Sequence, residues 1–138
     1  MNPETIEELA CSQVFSRLFA KLDQFDYPGV ARQFTREGVW HRQGAVLRGH
    51  DAIVQALQSR SSQLFVQHIL HQVSCEAIVP GHIQGFAYMT VFRKESATPI
   101  IPPQPIRAAD MLISWNVDFA QEDGAWLIRE LRNTPLYR

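Results

Sequence analysis

Near the end of the chain the odd positions Met111, Ile113, Trp115, Val117 and Phe119 are apolar. Their neighbours Asp110, Ser114, Asn116 and Asp118 are polar, with Leu112 the exception. A period of two predicts a strand with one buried face. Asp123-Gly124 then supplies a hairpin turn, because glycine tolerates the positive φ of tight turns, and Trp126 to Leu131 returns as the partner strand. The start of the chain has a different period. Ile6, Leu9, Ala10, Val14, Leu18 and Leu22 follow helical spacing, with Phe15, Phe19 and Phe25 widening the stripe. Asn2-Pro3 offers a cap and a first-turn proline.

Between these ends the pattern predicts a short helix from Tyr27 through Phe34, a strand over Glu37–Gln43 turning at Gly44, and a helix from His50 to Arg60 with Ile53, Ala56 and Leu57 inward. Phe65–Ile78 and Ile83–Lys94, joined by a Pro80-Gly81 turn, read as an antiparallel pair. Ala97–Pro105 holds four prolines and cannot be a central strand, since each removes a ladder donor. It is expected to be an extended loop, a flap over a pocket or an arm facing a partner. Three helices followed by antiparallel strands predict an α+β fold in a single domain over residues 1–138, with the helices gathered on one sheet face.

Composition removes several functions. With 46% hydrophobic and 20% charged residues the chain is an ordinary globular sequence. A formal charge of −1 without a basic run leaves no footprint for nucleic acid. No apolar run approaches the ~20 residues of a membrane helix. The acidic N-terminus lacks the order of a signal peptide, so a cytoplasmic location is expected. Cys11 and Cys75 have no ligand spacing and read as reduced, buried thiols.

In order along the chain stand a helix ending near Asp23, a short helix, Gly38-Val39-Trp40, Arg48-Gly49-His50-Asp51-Ala52-Ile53, His68, and Asp123-Gly124-Ala125-Trp126. This series resembles the SnoaL-like branch of the nuclear-transport-factor-2-like superfamily over nearly the whole chain. The resemblance implies a cone, in which a strongly curved antiparallel sheet wraps three N-terminal helices around a central pocket. It also implies a homodimer formed through the sheet. Members include polyketide cyclases, scytalone dehydratase, ketosteroid isomerase, epoxide hydrolases and the small subunits of ring-hydroxylating dioxygenases. The dehydratase-like members use an aspartate at the end of the first helix and a histidine on the first long strand, which correspond here to Asp23 and His68. Where they carry a second histidine, this chain has Arg93. The catalytic patterns of ketosteroid isomerase and of the epoxide hydrolases are not recognisable.

The residues themselves add to this. Val66, His68, Leu70, Gln72 and Ser74 share one strand phase, in which regularly spaced polar side chains among apolar ones predict a pocket-facing surface. Histidine exchanges a proton near neutrality with little tuning. Asp23, at the carbonyl end of a helix dipole, benefits from a cationic or donor partner, and Asp26 is the better cap for the following turn. His68 and His71 lie three apart on a strand and point to opposite faces, so they cannot share a metal. His41, His50 and His82 fall near loops or element ends and are expected to be solvated. Trp40, Tyr88, Met89 and Trp115 are candidate pocket walls, while Trp126 is assigned to the core. Gln72 and Arg93 are the polar groups expected to orient a ligand. No phosphate loop, nucleophile elbow or Cys-His pair appears.

The expected function is a dehydratase, isomerase or cyclase without metal or organic cofactor. It would act on a small hydrophobic cyclic or aromatic molecule through His68 and Asp23, with the Pro99–Pro105 loop restricting water. The alternatives are a non-catalytic ligand-binding module and a structural subunit like those of the dioxygenases.

Overall fold

The computed structural model of the chain describes residues 1–138. Helix α1 spans Pro3–Asp23, capped by Asn2, whose side chain accepts from the Thr5 amide at 2.8 Å. Cys11, Val14, Phe15, Leu18, Phe19 and Leu22 form its buried stripe. Ile6 and Leu9, expected in that stripe, are exposed, because about 100° of rotation per residue carries them to the opposite side of the helix. Phe25 is also exposed, lying past the helix end with φ 60°.

Helix α2 (Tyr27–Ala31) is shorter than the pattern predicts. The amide of Ile128 donates to the Gln33 carbonyl at 2.8 Å, and the chain leaves the helix to enter strand β1 (Phe34–Arg42). An irregularity between Phe34 and Val39 brings backbones together at Gly38, where a Cβ would stand 2.8 Å from Phe34 Cβ and 3.0 Å from the Ile128 carbonyl oxygen. Only glycine fits there. Strand β2 (Ala45–Arg48) was not foreseen; Gln43 and Gly44, both at positive φ, fold it back on β1. Helix α3 (His50–Gln58) buries Ile53 and Leu57 and stops short of Arg60.

Four long strands complete the chain: β3 (Leu64–Val79), β4 (His82–Glu95), β5 (Met111–Glu122) and β6 (Ala125–Tyr137). The sheet order is β2-β1-β6-β5-β4-β3, and it curls strongly without closing. Every neighbouring pair is antiparallel except β1 and β6, so the sheet is mixed where an antiparallel one was expected.

The phase of β3 reverses midway. Leu64, Val66, His68 and Leu70 turn inward, then Gln72 adopts φ 49° within a register shift between His71 and Ser74. Beyond this bulge Val73, Cys75 and Ala77 are the residues packed on the core. Helices and sheet share a core of 25 buried residues, among them Phe15, Phe34, Phe119 and Trp126. No helix is long and apolar enough to cross a membrane.

The loop between β4 and β5 is exposed, with Ile101 and Ile106 in solvent. Together with Phe65, Gln67 and Phe92 it borders a cavity of about 500 Å³. Neither Asp23 nor His68 lines that cavity. Of the two readings, a flap over a pocket or an arm facing a partner, the segment does border a cavity, but not one lined by the aspartate and histidine where it was expected to restrict water.

Candidate functional site

Helix α1 stops at Asp23, where Gln24 caps the last carbonyls, and the carboxylate reaches β3. Oδ1 lies 2.5 Å from His68 Nδ1, while Oδ2 accepts from the His68 backbone amide at 2.9 Å. One carboxylate thus holds both the ring and the strand that carries it. Phe19, one turn earlier on the same helix face, lies beside the imidazole with ring centroids 5.7 Å apart. The side chains of His68 and Asp23 are only 14% and 24% exposed.

A carboxylate can only accept, so the proton of a neutral His68 sits on Nδ1. Nε2 then carries the free lone pair, and no hydrogen bond within the chain engages it. The donated bond also offsets the poor placing of Asp23 at the carbonyl end of α1.

Behind the ring the interior is aromatic. Trp115 lies 5.1 Å from Phe19 and 6.4 Å from Trp40, and Trp40 stacks on Phe34 at 5.8 Å. The Trp115 indole N–H donates to Met89 Sδ at 3.2 Å. The Trp40 indole N–H is buried and has no acceptor. Leu70 is half-buried and packs against the core.

The other sequence candidates lie elsewhere. Ile83, Gly85, Ala87, Met89 and Val91 are the buried phase of β4, which turns Tyr88 outward against Phe86 at 5.1 Å. Gln72 is exposed at the bulge, because the left-handed backbone there interrupts the alternation on which its inward placing rested. Arg93 continues the buried phase of β4 past Val91, opposite Val66, but is exposed and borders the cavity beside the proline-rich loop. His71 points outward to Thr90. His41, His50 and His82 were expected to be solvated, yet each is partly buried and held by Glu130, the Phe34 carbonyl and Asp118 respectively. His41 and His82 are tied across neighbouring strands and His50, at the start of α3, reaches the start of β1, contacts that the local sequence does not reveal.

Two arginines escaped sequence reading. The Arg42 guanidinium lies 5.7 Å from the centroid of the Trp40 ring. The Arg60 guanidinium lies 5.7 Å from Tyr27 and 5.9 Å from Phe25, and it donates to the Tyr27 hydroxyl at 3.4 Å. Burial, and then the positive charges of Arg60 and Arg93, hold Arg42 below the usual arginine value. Arg42 follows Trp40 by two on one strand, a spacing that could have marked it. Arg60, expected at the end of the third helix, lies beyond it in the connection to β3. The two cysteines are free thiols; burial pushes Cys11 up to about 12 and Cys75 up to about 11, which suits neither to nucleophilic work.

With the fold and these contacts established, the comparison with protein families is decisive: the model of the SnoaL-like domain matches residues 3–132. The chain belongs to the SnoaL-like family. No curated protein sequence is significantly similar to it. Solved structures share the SnoaL-like architecture. A type 2 hexachlorocyclohexane dehydrochlorinase (LinA) superposes with a TM-score of 0.78 at 10% identity, over 96% of this chain and 87% of the other. Aln2 from a Streptomyces species gives 0.75 at 19% identity, covering 98% and 93%. An NTF2-like protein with a cystatin-like fold from Novosphingobium aromaticivorans gives 0.75 at 15%, covering 94% and 80%. At such identities the likeness is one of fold.

Proposed function

We propose that this SnoaL-like chain is a cofactor-independent acid–base enzyme acting on a hydrophobic cyclic or aromatic molecule, by dehydration, isomerisation or cyclisation. The observation that carries the reading is the Asp23–His68 contact at 2.5 Å, made through Nδ1 so that Nε2 is left unengaged. Nε2 takes a proton from an acidic carbon of the substrate, and the Asp23 carboxylate stabilises the imidazolium that results. The same nitrogen then returns the proton, to another carbon for isomerisation or to a departing hydroxyl for dehydration. Phe19, Trp40, Met89 and Trp115 supply the apolar surroundings that keep water from competing. The dehydrochlorinase of the same architecture is named for an elimination from a ring compound, which agrees with this class of reaction.

A general-base test needs no natural substrate. Exchange of the α-protons of 2-tetralone in D2O, followed by proton NMR, should run faster with the wild-type protein than in matched buffer. His68→Ala should abolish the acceleration and Asp23→Asn should weaken it. Acceleration unaffected by His68→Ala, or none in the wild type, would remove the proposal.

A further inference from the structure

Three arginines stand apart from the ion pairs of the molecule. Arg42 ends β1 above Trp40, Arg60 precedes β3 beside Tyr27 and Phe25, and Arg93 is on β4 opposite Val66. None of the eight ion pairs of the molecule includes any of these three arginines. Nearby carboxylates are already used, Asp23 by His68, Asp26 by Lys21 and the Gly29 amide, and Asp110 by Arg107 and the Arg93 amide. Beneath Arg42, the Trp40 indole N–H is a buried donor without an acceptor. Arg42 itself is partly withdrawn from water and feels the charges of Arg60 and Arg93. Uncompensated like charges and a buried unsatisfied donor each cost stability, and such features persist where a ligand supplies the missing partner.

We propose that the rim formed by Arg42, Arg60 and Arg93 binds the carboxylate of an aromatic or cyclic acid, whose apolar body enters beside His68. This names the substrate class for the acid–base reading and rests on it for the orientation of the ligand body, though the anion site stands on its own contacts. The planar guanidinium fork matches a carboxylate with two parallel hydrogen bonds. Phe25 and Tyr27 offer aromatic surface beside Arg60, which favours one charge on an apolar ring over a heavily hydrated dianion. A carboxylate there would also acidify neighbouring C–H bonds once its charge is neutralised by the arginines, which puts the anion site and the base in service of one reaction.

The test compares 2-naphthoate with 2-naphthamide, equal in shape and different in charge, by quenching of indole fluorescence. The acid should bind about ten-fold or more tightly than the amide, the scale of a charge-assisted bond. Arg42→Gln and Arg60→Gln should each erase most of that preference, and Arg42→Lys should recover part of it. Arg36→Gln, at the opposite end of β1 where Arg36 pairs with Glu122 and Asp123, should leave it unchanged. Equal affinity for acid and amide, no saturable binding of the acid at millimolar concentration, or a preference surviving in both glutamine variants would overturn the inference. Because Arg60 lies in a connection, its variant remains informative even if the Arg42 variant folds poorly. Proton exchange, measured alongside, separates the two readings. An intact acid preference without proton exchange in the wild type sinks only the acid–base reading, whereas exchange without acid preference sinks only this one.

Discussion

His68 inside the cone and His41 and His82 outside it all stand beside carboxylates, but different nitrogens are engaged. His41 meets Glu130 through Nε2 at 2.8 Å, and Glu130 also pairs with Arg132 at 2.8 Å. His82 meets Asp118 through Nε2 at 3.4 Å, with Arg129 Nη2 3.3 Å from the same nitrogen. In both outer pairs the nitrogen farther from the backbone is spent on a tie between strands. In the inner pair the nearer nitrogen is tied and the farther one is free. The same two functional groups make a strand clamp in one region and leave Nε2 unengaged in the other. Which ring atom faces the acid, and what surrounds the ring, decides between them.

The largest effect that would break this comparison is on proton exchange. His68→Ala should lower it by about 10²- to 10⁴-fold, the usual contribution of a general base, while His41→Ala and His82→Ala should change it by no more than about two-fold. A comparable loss in His41→Ala would mean that the distinction is empty. The surroundings of the inner pair come next. Phe19→Ala, which removes a buried ring beside His68 and Trp115, should cost about 3–5 kcal/mol in urea unfolding. Phe25→Ala, exposed at the rim, should cost under about 1 kcal/mol. Equal costs would show that the interior ring is not packed as described.

The smallest effect concerns the outer clamp. The His41 ring, and after it the charges of Arg132 and Arg129, hold the Glu130 carboxyl below its ordinary 4.5. Because the folded value is depressed, its contribution is complete above that ordinary value and disappears as pH falls through the folded one. Wild type should therefore exceed Glu130→Gln by about 0.5 kcal/mol near neutrality, as partly exposed pairs contribute little, and the gap should close in acid below pH 4.5. A gap that stays constant down to acid unfolding would contradict the clamp.

How far the sequence reaches is clearest on individual residues. Alternation along Met111–Phe119 identified the buried face of β5, since Ile113, Trp115, Val117 and Phe119 are all in the core. Asp23 and His68 were legible as candidates because a helix end and a strand phase are local properties, though their 2.5 Å contact depends on how α1 lies across the sheet. Gln72 failed because one left-handed residue reverses a phase that a periodic pattern cannot see interrupted. Tyr88 and Met89 are adjacent and both large, so which one points inward is fixed by pairing with β5, not by their chemistry. Arg60 was missed because its contacts with Phe25 and Tyr27 join the α3–β3 connection to a segment distant in sequence, which no local pattern shows.

The bulge at Gln72 has a consequence for how this strand can change over evolutionary time. A one-residue slip ordinarily turns every side chain of a strand inside out. Here the slip is already built in, so β3 behaves as two short modules joined end to end, each with its own inside. The module that carries His68 is registered against the end of β4, and the module that carries Cys75 is registered against its beginning. Sequence can therefore drift or be exchanged beyond Gln72, beneath the start of α1, while the direction in which His68 points is inherited unchanged.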